Sequence, residues 1–195
     1  METRFFDWKR DMPKRNKRLL PHWSLSDVYT FVTWRLADSL PQIKLQEWSS
    51  ARAQWLTNHP KPWNEEIERL YDEKFGEELD RWLDSNHGSC VLKDEHIRQA
   101  MEDCLKHFQS NRYKIIAYSI MPNHVHVLFY PLSGLQVGTI VQGWKSVSAH
   151  LINQALSRRG TLWNQEYWDV LIRNELHLER VVRYILEDNH GTDMR

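Results

Sequence analysis

Two histidines one residue apart, His124 and His126, sit in the run Met121-Pro122-Asn123-His124-Val125-His126-Val127-Leu128-Phe129. The run reads as a strand, and successive strand side chains point to opposite faces, so the two imidazoles share one face. Val125, Val127 and Phe129 fill the other face and anchor the strand to a core. Two imidazoles so placed suit one divalent cation and form the start of a site, not a whole one. Further along, Tyr184 and Asp188 lie four residues apart in a helical stretch, which stacks them one turn apart on the same side. The set is then two imidazoles, one carboxylate and one hydroxyl able to act as a nucleophile.

A phenol titrates near pH ~10 and attacks poorly at neutral pH. Attack on a phosphodiester needs its oxygens neutralised and the reacting atoms held in line. A divalent cation on His124, His126 and a carboxylate or amide can do both. The product of such an attack is a covalent phosphotyrosine. It conserves the energy of the broken bond, so a second strand can be rejoined without an external energy source. Imidazole ligands suit Mn²⁺ better than Mg²⁺, while Mg²⁺ is the more abundant ion, so either can serve.

These residues need elements to carry them. Residues 28–36 are rich in β-branched and aromatic side chains and read as a first strand, with Pro41 at its exit. Residues 42–85 read as helices, with one apolar stripe through Leu45, Trp48, Trp55 and Leu56 and another through Ile67, Leu70, Tyr71, Leu79, Trp82 and Leu83. A turn at 86–89 precedes a helix over 94–109. Strands over 113–120 and 124–130 follow, then a helix over about 137–157, a strand over 168–172 and a last helix over about 175–188. With 42–85 set aside the order is βαββαβ. That is an α+β, ferredoxin-like antiparallel sheet with a helical insertion after the first strand and a C-terminal helix. In that last helix Leu178, Val181, Val182, Ile185 and Leu186 form the buried stripe, and Tyr184 points roughly 130° from its centre, off the core.

The chain has 195 residues, which is one domain with an insertion: a basic arm over 1–22 and a single domain over 23–195. Hydrophobic residues make up 41%, with ten Trp, which excludes a disordered chain. Cys90 and Cys104 lack metal-ligand spacing. No apolar run approaches the roughly 18 residues of a membrane helix and no signal peptide opens the chain, so the expectation is a cytoplasmic protein without a membrane partner. Zero net charge argues against nucleic-acid binding by bulk charge. The distribution is uneven, however: Arg4, Lys9, Arg10, Lys14, Arg15, Lys17 and Arg18 face only Asp7 and Asp11 across residues 4–18. Such an arm, with Phe5, Phe6, Trp8 and Trp23, can follow a phosphate backbone while rings stack on bases. Candidate backbone contacts are Arg15, Lys17 and Arg18 in the arm, Arg35 and Arg173 on strands near the site, and Lys145, which lies off the apolar stripe of its helix while Trp144 lies on it. Asn123 is read as shaping the turn before the histidines.

The sequence His124-Val125-His126 resembles the His-hydrophobe-His motif of single-tyrosine transposases that act on single-stranded DNA. From about residue 18 to 188 the chain resembles the REP-associated tyrosine transposases. The segments that carry this are Leu20-Pro21-His22-Trp23, Phe31-Val32-Thr33-Trp34-Arg35-Leu36, Gly143-Trp144-Lys145-Ser146, Leu162-Trp163-Asn164-Gln165-Glu166-Tyr167-Trp168-Asp169, Ile172-Arg173-Asn174-Glu175 and Arg183-Tyr184-Ile185. The resemblance implies Tyr184 as nucleophile and a divalent metal, Mg²⁺ or Mn²⁺, on His124 and His126. Asp188 fills the family's third-ligand position, with Asn189 or His190 as substitutes. It also implies nicking and strand transfer on single-stranded or hairpin DNA from a repetitive extragenic palindrome, by a monomer or homodimer in the nucleoid. The alternatives are a hairpin-DNA-binding protein that keeps the scaffold without cleavage, and an unrelated enzyme of the two-histidine, one-carboxylate iron class.

Overall fold

The structure, a computed structural model, describes residues 4–7, 10–11, 14–15, 23–24, 26–60, 63–132 and 134–190. A short ribbon pairs β1 (Lys14–Arg15) with β2 (Trp23–Ser24). The main sheet contains β3 (Thr30–Arg35), β4 (Tyr113–Ile120), β5 (His124–Pro131) and β6 (Trp168–Leu171), all antiparallel in the order β4-β5-β3-β6. This is the ferredoxin-like order expected from the sequence. The helices are α1 (Gln42–Asn58), α2 (Glu65–Tyr71), α3 (Glu77–Asp84), α4 (Glu95–Lys106), α5 (Val137–Ala155) and α6 (Glu175–His190). A π-helical turn, Asp72–Gly76, joins α2 to α3.

The two faces of the sheet are set by strand alternation. On one face Val32 and Trp34 of β3 and Val125, Val127 and Phe129 of β5 pack under α4 and α5. Trp144 of α5 fills the middle, stacked 5.8 Å from Trp34 and edge-on 4.9 Å from Phe129. On the other face the register sets Phe31 beside Leu128, Thr33 beside His126, and Arg35 beside His124. Trp168 of β6 extends that row from Thr33. This second face is covered by α6 and by the insertion α1–α3. The insertion has its own apolar cluster, in which Trp48, Trp63, Tyr71, Phe75, Leu79 and Leu83 close on Trp168. The tryptophans at 48 and 63 are therefore packing residues.

Four expectations change. Lys145 is buried, because the inward face of α5 runs through Val141, Lys145, Ser148 and Ile152, while Val147 and Leu151 are exposed. Its Nζ donates to the carbonyls of Gln165 (2.8 Å) and Glu166 (3.5 Å), so it clamps the segment before β6 and does not face a phosphate. Arg35 is also buried, under the insertion, where Nη1 donates to Leu36 O and Ser39 Oγ. Burial draws its guanidinium down to about 10. On α6, Leu186 is half-exposed, and the inward face instead centres on Ile185 and includes Tyr184. Part of the N-terminal segment belongs to the fold: Phe6 is buried with Val28 and Leu171, its N–H donates to Ile172 O (2.9 Å), and Arg4 pairs with Asp11 (2.7 Å). Lys17, Arg18 and the Arg15 side chain lie outside the described residues.

Candidate active site

His124 and His126 are both fully buried on the second face. Their Nε2 atoms face each other across 2.9 Å. Asn123, also fully buried, gives its side-chain NH₂ to Leu83 O and His87 O, each at 3.1 Å. That leaves Asn123 Oδ1 as an acceptor, and it lies 2.8 Å from His124 Nδ1. The bond fixes the tautomer: Nδ1 carries the proton and Nε2 carries the lone pair. The Thr33 hydroxyl sits 2.7 Å from His126 Nδ1 and can play the same part. Outer hydrogen bonds that hold an imidazole with one nitrogen inward are the usual support of a metal-ligating histidine.

Burial keeps both rings neutral. It pushes His124 down to about 3, and it drives His126 well below its ordinary value, with the neighbouring His124 adding to the effect. Neutral imidazole is the ligating form. Two ligands about 2.1 Å from one ion and at right angles to each other lie about 3.0 Å apart. The observed 2.9 Å between Nε2 atoms fits that geometry. Among the described residues no three His, Cys, Asp or Glu side chains form a ready-made metal cluster. Among the described residues the Asp84 carboxylate, at the last position of α3, has its Oδ1 3.9 Å from His124 Nε2. The Asp188 side chain lies outside the described residues, as do those of Asn189 and His190.

Tyr184 reaches the pair from α6. The helix begins where the Asn174 side chain accepts from His177 N–H (2.8 Å), with Glu175 favouring the positive end of the helix dipole. Two and a half turns on, the Tyr184 ring packs edge-on against His126 (5.4 Å) and Phe31 (6.1 Å). Phe31 itself stacks on His126 at 5.5 Å. The phenol and the imidazoles are thus together, whereas the stripe geometry of α6 had put the tyrosine off the core. The difference arises because α6 turns its 181–185 face onto Phe31, Ala117 and Leu128.

A groove of about 690 Å³ opens at Tyr184. Its walls are Glu66, Arg69 and Glu73 from the insertion, Trp168 and Arg173 from β6 and its exit, and His177 and Arg180 from α6. Burial pushes His177 down to about 4, and the Arg173 and Arg180 cations push in the same direction, a sign of positive potential along this wall. Of the candidate phosphate contacts, Arg173 is thus at the groove and half-exposed, whereas Arg35 and Lys145 are buried elsewhere. Sequence reasoning missed Thr33, Asp84, Arg69 and Arg180. Register would have indicated Thr33, but only after β3 had been paired with β5.

The antiparallel βαββαβ sheet thus carries two buried, neutral imidazoles on the face under α6 and the insertion, with the Tyr184 ring from α6 packed against one of them. A family model described as "Transposase IS200 like" matches residues 86–188, more than half of the chain. The protein belongs to the IS200-like transposase family: it is a DNA-cleaving enzyme of DNA transposition. Among curated protein sequences none matches it. Among solved structures it is similar to a REP-associated tyrosine transposase bound to a REP hairpin, with 13% identity, 89% of this chain and 73% of that one covered, and a TM-score of 0.48. It is also similar to a candidate transposase from Deinococcus radiodurans R1, with 15% identity, 91% and 98% covered, and a TM-score of 0.41. No helix among the described residues is long and apolar enough to cross a membrane.

Proposed function

We propose that the protein nicks single-stranded DNA and transfers the cut end, with Tyr184 as nucleophile, at hairpins of the REP type. The observation that carries this reading is the contact between the Tyr184 ring and His126 beside a groove that Arg173 and Arg180 line on one side and the Arg69–Glu73 ion pair on the other. The hairpin substrate rests on the resemblance of segments between 18 and 188 to REP-associated tyrosine transposases. In the reaction the phenol oxygen bonds to phosphorus and one sugar–oxygen bond to phosphorus breaks. The phenol proton ends on the departing sugar hydroxyl. Attack by a hydroxyl of another strand reverses the exchange and frees the tyrosine. Each step swaps one phosphodiester bond for another.

His124 and His126, with Asp188, would hold a divalent cation, Mg²⁺ or Mn²⁺. Such an ion neutralises phosphate oxygens and orients the ester. The protein's own part is to hold both imidazoles neutral and aimed, through Asn123 and Thr33. Phe31 and His126 set the phenol's position. Arg173, Arg180 and Arg69 would meet the backbone of an unpaired strand.

The test is incubation with labelled single-stranded hairpins in Mn²⁺, followed by denaturing electrophoresis. The expected result is a covalent protein–DNA band that Tyr184→Phe removes while hairpin binding persists. A band that survives the substitution refutes the assignment of Tyr184. Hairpin binding with no band in either Mg²⁺ or Mn²⁺ favours the non-cleaving alternative.

A further inference from the structure

Asp84 closes the insertion, and its surroundings are unusual for a carboxylate. It is the last residue of α3, where the helix dipole disfavours negative charge. Burial raises its carboxyl above the usual range. Among the described residues no lysine or arginine pairs with it, and its nearest charged-type neighbour is His124, whose ring is neutral. The position is not a loose one. Leu83 beside it is fully buried, and the carbonyls of Leu83 and His87 are both bound by Asn123, the residue that also aims His124. A carboxyl group thus sits at the end of a helix where negative charge is disfavoured, 3.9 Å from the inward-facing Nε2 of His124, with no basic partner among the described residues.

We infer that Asp84 is a carboxylate ligand of the divalent cation held by His124 and His126, so that the insertion supplies part of the metal site. This rests on the reading that the histidine pair binds a cation. The Oδ1–Nε2 separation of 3.9 Å lies within the span of two ligands on opposite sides of one ion, each about 2.1 Å from it. Binding in this way calls for the Asp84 side chain to turn toward the imidazoles, because no three His, Cys, Asp or Glu side chains stand ready-made among the described residues. The carboxylate is 45% exposed, so solvent and substrate can reach it. A cation there would offset the carboxylate's charge at the end of α3.

The experiment is Mn²⁺ binding to the full-length protein without DNA, followed by electron paramagnetic resonance of the free ion, with thermal melts in EDTA and in Mn²⁺. Asp84→Asn is expected to weaken Mn²⁺ binding about 10–100-fold, on the scale seen when a metal site loses a supporting group. It should shrink the Mn²⁺-dependent rise in melting temperature and leave the melt in EDTA unchanged. Asp84→Glu should recover part of the affinity, which a merely structural aspartate would not require. Wild-type affinity in Asp84→Asn, alongside lost binding in His124→Ala, overturns the inference and leaves the histidine site standing. The same comparison with Asp188→Asn tells whether α6 also contributes. No Mn²⁺ binding by the wild-type protein overturns the histidine site itself, and Asp84 with it.

Discussion

The two faces of one sheet have been given opposite work. The face under α4 and α5 is filled by Val125, Val127, Phe129, Trp34 and Trp144, with few polar atoms to satisfy. The face under α6 and the insertion carries Thr33, Arg35, His124 and His126, all buried yet polar, each held by named hydrogen bonds. Neighbouring residues of β5 therefore differ in setting: Val125, Val127 and Phe129 pack under α4 and α5, whereas His124 and His126 are buried on the face under α6 and the insertion. Burial without solvation is what keeps the imidazoles neutral, so the chemical face depends on the covering elements as the apolar face does not.

The largest effect that would sharpen this contrast comes from the apolar face. Phe129→Ala should destabilise the protein by about 3–5 kcal/mol in denaturant unfolding, because it leaves a cavity under Trp144. Mn²⁺ affinity of the folded fraction should change by less than about threefold; a larger loss would mean that the faces are coupled. Next comes pH. Burial lowers His124 from its ordinary value of 6.5 to about 3 in the folded state, and it lowers His126 well below that ordinary value too. The unfolded chain binds more protons in that window, so metal-free stability should be complete above pH 6.5 and fall as pH drops toward 3. The slope is up to about 1.4 kcal/mol per pH unit for each ring. A flat stability profile in EDTA between pH 4 and 7 would break the claim that these rings are held neutral.

Smaller effects separate support from contact. Asn123→Ala should cost about 10–100-fold in Mn²⁺ affinity, since His124 loses its orienting acceptor. Lys145→Met should cost about 1–3 kcal/mol in stability by removing a charged donor from two carbonyls. It should leave the salt dependence of hairpin binding unchanged. A shallower salt slope would return Lys145 to the phosphate backbone.

Elements with strong local periodicity were legible in the sequence. The alternation in β5, the helices of the insertion within 42–85 and the βαββαβ order all appear as expected. What escaped depends on long-range placement. Asp84 and His124 are forty residues apart and meet only because the insertion folds back across β3. Thr33 reaches His126 through register. The orientations of Lys145 and Tyr184 differ from the stripe reading for one reason: an apolar stripe fixes a helix's inward face only to within a residue or so, and that margin decides whether the flanking side chain is buried. Lys145 turned inward to bind carbonyls, and Tyr184 turned inward to meet Phe31.

Asn123 spends its two amide hydrogens on carbonyls at the exit of the insertion and its oxygen on an imidazole. One planar group thereby makes the seam between a graft and its host rigid. Helices α1 and α2 take no part in that linkage and are joined to the sheet instead through Trp48 and Tyr71 on Trp168. A replacement that fails to return two carbonyls to the amide would misalign His124 although every residue of β5 were left untouched.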